Sequence, residues 1–288
     1  MHIKTNPEIK PKQQKLRKVA FHLKDDLKEY LDSMEKEGVI TKLATDSDNA
    51  GCWISNLVIT KKKWDKKKIR VNLDTRHMEE AIVKSNWRIP TLEELRHEFA
   101  GSDKFTVLDM NHAFLQFELD EEAKQLFTFQ TEFGLYRFNR LVMGCHNASK
   151  ECNERVTEIL QGCEGAVHIK DDVVVHGKGE EHDRNLDAVL KRMEEKGLTL
   201  RREKCEFGKS EIKWFGMIFS KDGMSPDPEK VKIIKEWPRP EDKSAVKSFL
   251  QTVQFSQVFL KPKNGLTYFD ITAFYALSKV LWLISRIL

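Results

Sequence analysis

The chain has 288 residues, 33% charged and 40% hydrophobic, an ordinary soluble composition long enough for one large domain or two or three coupled subdomains. Its 49 lysines and arginines nearly balance 45 aspartates and glutamates, so the net charge of +4 does not by itself announce a nucleic-acid partner. The five cysteines (Cys52, Cys145, Cys152, Cys163 and Cys205) form no Cys-x-x-Cys pair, which argues against a zinc site or disulfide framework and fits a reducing compartment.

Residues 1–18 are polar and Lys-rich without an apolar run, so we expect an extended, flexible leading segment and no secretory signal. Leu27, Tyr30, Leu31 and Met34 then recur at helical spacing and predict a helix over 25–37 that stops at Gly38. Next come two strands, 54–60 and 68–73, flanking a turn so basic that seven lysines and arginines fall within 61–70. Such a cluster makes a local positive field suited to phosphates, although a solvated turn has the same composition. Thr91 and Glu94 form a capping box for a helix ending at Gly101, which leads into a buried strand, Phe105-Thr106-Val107-Leu108, and then Asp109.

A hairpin over 127–138 and a helix over 148–160 precede the stretch Ala166-Val167-His168-Ile169-Lys170-Asp171-Asp172-Val173-Val174-Val175-His176-Gly177. Branched residues on both sides predict strands, and Lys-Asp-Asp is placed at the tip between them. Two carboxylates at a tight turn can approach one cation, and hard oxygen ligands suit magnesium. A solvated Asp-Asp turn is the alternative. Further on we expect a helix over 180–196 stopped by Gly197, and strands at 199–205 and 212–219. A turn at Lys221-Asp222-Gly223 leads to helices begun by Asp227-Pro228 and Asp242. Strands and helices interleave without a βαβ repeat, which makes the fold class α+β.

Asp109 and the acid pair stand within an ordered series of short motifs. It runs through Phe133-Gly134-Leu135-Tyr136-Arg137-Phe138, Met143-Gly144, Glu181-His182, Lys204-Cys205-Glu206-Phe207, Trp214-Phe215-Gly216, Pro228-Glu229-Lys230-Val231 and Ser248-Phe249-Leu250. In this order the chain resembles the reverse transcriptases of gypsy-class long-terminal-repeat retrotransposons over residues 19–272. The resemblance implies a right-hand polymerase core with fingers and palm at 19–222 and a partial thumb at 223–270, its antiparallel palm sheet carrying the catalytic acids. It implies a product truncated before the connection and ribonuclease H regions.

The same resemblance implies nucleotidyl transfer by two Mg2+ ions, with Mn2+ as a substitute, bound by Asp109, Asp171, Asp172 and the backbone carbonyl of Met110. It assigns the incoming deoxynucleoside triphosphate to Lys63, Arg70, Phe114, Met143 and Gly144, with Phe114 as a steric wall against a 2′-hydroxyl. Trp214, Phe215, Gly216 and Met217 match the primer grip. The implied partners are an RNA or DNA template with a DNA primer. Three positions depart from the pattern: Ile169 where an aromatic is usual, Lys170 beside the acids, and Ser149 in place of proline.

Residues 271–288 form an apolar tail interrupted by Lys279 and Arg286, shorter than the roughly 20 apolar residues of a membrane span, so a membrane partner is not expected. Two other readings stay open. One is a catalytically inactive nucleic-acid-binding remnant, and the other a metal-dependent nuclease or phosphotransferase using the same acids. The sequence contains no Walker loop and no His-Glu-x-x-His, leaves cytoplasm and nucleus equally open, and says nothing of oligomeric state.

Overall fold

The computed structural model describes residues 1–44, 52–61, 69–83, 91, 94, 97–145, 147–238, 240 and 242–255, without the side chains of 235 and 253–255. Lys63 and the apolar tail lie outside the described residues. The chain divides into two units: Met1–Ile89, Leu108–Val173 and Ala188–Cys205 form the first, and Pro90–Val107, Val174–Asp187 and Glu206–Leu288 the second. Among the described residues no helix is long and apolar enough to cross a membrane.

In the first unit, helix α1 (Lys24–Lys36) buries Leu27 and Leu31. It ends as the sequence predicts: Gly38 is left-handed, at φ 69°, its N–H donates to Glu35 O, and Val39 N–H reaches back to Met34 O at 2.9 Å. These two bonds satisfy carbonyls that the helix end would otherwise leave open. Strand β1 (Ile40–Lys42) follows. Strands β2 (Leu57–Lys61) and β3 (Ile69–Leu73) pair antiparallel from Leu57↔Leu73 to Lys61↔Ile69, and the basic turn expected between them, 62–68, lies outside the described residues.

After β4 (Lys104–Asp109), the short helix α2 (Glu121–Leu126) is capped by Asp120, whose carboxylate accepts Ala123 N–H at 2.8 Å. Strands β5 (Thr128–Thr131) and β6 (Gly134–Phe138) complete a sheet of order β1-β6-β5. Phe129 lies between Tyr136 and Phe138 in its core, with ring centroids at 5.6 and 4.8 Å. The leading segment runs along this unit through main-chain bonds, including Asn6 N–H to Ala81 O and Gln14 N–H to Ile54 O, with Ile3 buried. Side chains join in, Gln14 Oε1 accepting from Asn56 Nδ2 and Lys12 pairing with Glu80, but these partners lie 42 and 68 residues away, so residues 1–18 by themselves give no sign of them.

Helix α3 (Ala148–Leu160) matches its expected bounds and buries Cys152, Asn153 and Val156. Burial pushes the Cys152 thiol up to about 12 and that of Cys145 to about 11, so both stay protonated and act as small apolar groups. Strands β7 (Ala166–Ile169) and β8 (Asp172–Gly177) form the acid hairpin, followed by α4 (Glu180–Glu195). A four-stranded sheet has the order β7-β8-β4-β9, where β9 is Glu206–Lys209.

In the second unit β9 pairs antiparallel with β4, Phe105 facing Lys209 and Val107 facing Glu206, with a register shift between them. A meander of β10 (Glu211–Trp214), β11 (Met217–Ser220) and β12 (Gly223–Pro226) follows. Helices α5 (Pro228–Lys235) and α6 (Lys243–Phe255) begin where Asp227 and Asp242 accept N–H groups of Glu229 and Ala245. The aromatic core centres on Phe99, whose ring meets those of Phe105, His176, Trp214 and Phe219 at 4.7–6.0 Å.

Two strand expectations are corrected. Residues 199–205 are not a strand: Leu200 makes a single bridge to Met110, and Arg202–Lys204 form a 3-10 turn. The pairing strand is β9, because the turn delays the chain until Glu206. Residues 212–219 are two strands rather than one, reversed at Phe215 and Gly216, which both take positive φ, 49° and 75°. Positive φ at both central residues is the conformation whose twist suits a two-residue hairpin, and it is unusual for phenylalanine.

Candidate active site

The tip of the acid hairpin is held from behind by α3. Lys170 is left-handed, at φ 56°, and its N–H donates to Asn153 Oδ1 at 2.8 Å. Asn153 is fully buried, its Nδ2 donates to Ser149 O at 2.6 Å, and its own carbonyl accepts the Thr157 hydroxyl. The Thr157 hydroxyl also meets His168 Nε2 at 2.8 Å on β7, where burial lowers the imidazole pKa to about 4 and keeps it neutral. A buried polar network thus sets the turn that presents Asp171. No motif pointed to Asn153. Its only signal was an amide in a helix otherwise turned toward the core.

Asp109 ends β4, and two main-chain bonds tie this point to its surroundings: Met110 N–H donates to Asp171 O and Arg201 N–H to Asp109 O, both at 2.9 Å. The structure therefore brings Asp109 and Asp171 together. Burial and then the charge of Asp109 raise the Asp171 carboxyl above the ordinary range, while Lys170 and Lys204 oppose the rise. Lys204 Nζ stands 3.5 Å from Asp109 Oδ2. Asp172 is the first residue of β8 and is half-buried. Among the described residues no three His, Cys, Asp or Glu side chains form a metal-holding group. A half-buried carboxylate whose ionisation is opposed by burial and by a neighbouring acid nevertheless fits a hard dication, which relieves that repulsion.

Also in the first unit, a cavity of about 260 Å³ is lined by Arg70, Leu73, His112, Phe114, Val142 and Met143 among others. Arg70 is exposed on β3, while Phe114 is buried in the 3-10 turn Ala113–Gln116 that follows left-handed His112. Met143 is 51% exposed, unusual for a methionine and open to a ligand at the rim. Gly144 does not line the cavity. Its φ is 114°, its carbonyl accepts the Thr75 hydroxyl at 2.8 Å, and a Cβ there would lie 3.1 Å from Leu73 O.

Gly144 thus packs closely against the end of β3. Next to it Asp74, with only 2% of its side chain exposed, is gripped by Arg76 and Arg17 at 2.7 and 3.2 Å. Arg76 and then Arg17 hold the Asp74 carboxyl down at about 2. Sequence reading gave Asp74 no role, since its partners lie two and 57 residues away.

In the second unit, Trp214 and Met217 are 2% exposed and belong to the core around Phe99. Only Phe215 and Gly216, at the β10–β11 turn, are left half-exposed. Among the expected primer-grip residues these two are therefore the ones available at the surface.

Comparison with known proteins gives a consistent result. The family model described as reverse transcriptase (RNA-dependent DNA polymerase) matches residues 59–219, more than half of the chain, and includes all of the acids above. The retrovirus-related Pol polyprotein from transposon gypsy of Drosophila melanogaster is 31% identical over 195 residues, covering 67% of this chain and 19% of that protein. The corresponding polyprotein from transposon 412 of the same organism is 30% identical over 200 residues, covering 68% and 16%. The chain thus spans less than a fifth of the length of these curated relatives.

Among solved structures, a foamy viral protease-reverse transcriptase in complex with double-stranded DNA superposes with a TM-score of 0.76 at 17% identity, covering 94% of this chain and 50% of that one. The foamy viral protein in complex with RNA/DNA hybrid gives 0.75 at 17% identity, covering 98% and 39%. This likeness shows the fold, an α+β polymerase core with antiparallel sheets. The chain belongs to the reverse transcriptase (RNA-dependent DNA polymerase) family, of the kind carried by gypsy-class retrotransposons.

Proposed function

We propose that the chain extends a DNA primer on an RNA or DNA template, transferring deoxynucleotides from their triphosphates. The observation that carries this reading is the mutual field of Asp109 and Asp171, a carboxylate pair held by main-chain bonds inside the region matched to the family. Asp109, Asp171, Asp172 and the Met110 carbonyl would hold two Mg2+ ions, or Mn2+ in their place. Bound divalent cations would make the primer hydroxyl more nucleophilic and neutralise charge on the reacting phosphate and leaving pyrophosphate.

The chain's own residues would do the positioning. Arg70 presents five fixed donors to triphosphate oxygens, and Lys63 would supply a second charge from the same hairpin. Phe114 and Met143 border the cavity of about 260 Å³, so the nucleotide would sit there, with the Phe114 ring as the wall that rejects a 2′-hydroxyl. Gly144, by letting its loop close on Leu73, would set the depth of that pocket. Phe215 and Gly216 would meet the primer, with Trp214 and Met217 anchoring their turn. We assign residues 19–222 to fingers and palm and 223–270 to part of a thumb.

The test is magnesium-dependent extension of a DNA primer on RNA and DNA templates by the whole chain, beside Asp171→Asn. Extension by the first and none by the second is expected. Cleavage of nucleic acid without template-directed extension would instead support a nuclease. No reaction, with salt-sensitive primer-template binding retained, would support an inactive binding protein.

A further inference from the structure

We propose that Lys204 is a built-in competitor for the acid site: its ammonium holds Asp109 in the metal-free protein and must release that carboxylate when a divalent cation binds. The inference rests on the reading of Asp109 and Asp171 as metal ligands and concerns what occupies their field beforehand.

Three observations carry it. The first is distance, since Lys204 Nζ is 3.5 Å from Asp109 Oδ2. Lys170, although adjacent to Asp171 in sequence, makes no ion pair among those of the described residues. The second is mounting. Lys204 closes the 3-10 turn Arg202–Lys204, whose preceding residue, Arg201, donates its N–H to Asp109 O at 2.9 Å. The Lys204 N–H in turn donates to Arg201 O at 3.0 Å, and Arg201 Nη2 reaches Asn111 Oδ1 at 3.3 Å, so the backbone of Lys204 is tied to the strand end that carries Asp109.

The third is exposure. The Lys204 side chain is 54% exposed and that of Asp109 18%, so the cation can swing into water while the carboxylate stays in place. An ammonium on a flexible stem suits such a role, because it screens a carboxylate pair without the fixed bidentate grip of arginine.

A dication binding the pair gains attraction to the carboxylates but loses whatever screening Lys204 had supplied. Removing the ammonium should therefore tighten cation binding while loosening the metal-free site. For a half-exposed pair the change in affinity is about two- to fivefold at low ionic strength, and it should shrink with added salt.

The experiment titrates Mn2+ into the whole chain and reads free Mn2+ by electron paramagnetic resonance, with wild type, Lys204→Met, Lys204→Arg and Asp171→Asn. The expected result is tighter binding by Lys204→Met, binding no tighter than wild type by Lys204→Arg, and strongly weakened binding by Asp171→Asn. Circular dichroism verifies that each variant is folded. If Lys204→Met binds no more tightly than wild type while Asp171→Asn loses binding, the competitor role is overturned and the metal-site reading stands. If wild type shows no saturable binding, or Asp171→Asn binds as wild type does, both are overturned.

Discussion

Two hairpins carry the acid pair Asp171-Asp172 and the residues assigned to primer contact, and each has a side chain in the left-handed region at its tip. In β7–β8 it is Lys170 at φ 56°, and in β10–β11 it is Phe215 at φ 49°. Such a conformation costs an L-residue roughly 1–2 kcal/mol, so something nearby must compensate in each case. The means differ. The acid hairpin is held by a buried polar network, Asn153 with Ser149 and Thr157, that bonds directly to the strained peptide. The β10–β11 turn is held by its flanks, since Trp214 and Met217 are buried beside it while the half-exposed Phe215 ring makes a T-shaped contact with Trp214, ring centroids 5.1 Å apart. A hydrogen bond fixes the direction of the peptide before Asp171. Aromatic packing fixes only where the other turn sits.

The strongest way to break this contrast is Trp214→Ala, which removes a buried indole from the Phe99 cluster and should cost about 3–5 kcal/mol in urea unfolding. Loss of Mn2+ binding in the folded variant would contradict the separation of the two hairpins.

Acid should act on the first hairpin. His168 has a folded pKa lowered to about 4 against an ordinary 6.5, so the folded protein holds the neutral ring and the unfolded chain takes up the proton first. Its contribution is complete above pH 6.5 and is lost as pH falls toward 4, by about 3 kcal/mol at most. Denaturation midpoints for wild type and His168→Gln across pH 4–7 measure it; parallel curves would remove His168 as the cause. Asp74 works in a separate, lower window: its depressed pKa of about 2 gives stability present above 3.8 and lost as pH falls toward 2.

Asn153→Ala comes next. It strands the Lys170 N–H and the side-chain partners of the amide, for about 1–3 kcal/mol, and should weaken Mn2+ binding more than its stability loss would suggest, because the Asp171 turn loses its direction. The smallest effects are the most diagnostic. Glycine relieves left-handed strain but adds freedom to the unfolded chain, so Lys170→Gly and Phe215→Gly should each change stability by no more than about 1 kcal/mol. If strain is held in place for function, Lys170→Gly lowers metal affinity relative to Lys170→Gln, which removes the same charge but keeps a side chain, and Phe215→Gly lowers primer affinity despite that small change; primer-template binding by fluorescence anisotropy reads the second.

Much of this architecture was legible in the sequence because its signals are local. Gly38 and Gly197 end their helices through a backbone preference that needs no partner, and both are left-handed as expected. Asp227 and Asp242 cap the helices they precede, and the Thr91–Glu94 capping box makes both of its hydrogen bonds. Branched residues on both sides of Lys-Asp-Asp marked the acid hairpin, whose turn holds Lys170 and Asp171 while Asp172 begins β8. What failed has a tertiary cause: no propensity marks Phe215 as a turn residue or Arg202–Lys204 as a break before β9, because packing around Phe99 and bonds to Asp109 override preferences worth a fraction of a kcal/mol.

By itself, then, the sequence determined the α+β class, most helix ends, the acid hairpin and, through its ordered motifs, the reverse transcriptase family. Those properties depend on neighbours a few residues apart or on the identity and order of short segments. Only the tertiary structure decided that Lys204 and not Lys170 pairs with Asp109, that Asn153 holds the turn before Asp171, and that Trp214 is buried while Phe215 is left half-exposed. Each of these joins or separates groups according to distances through space, where Coulomb energy and hydrogen bonding fall off within a few ångströms and separation along the chain has no direct effect.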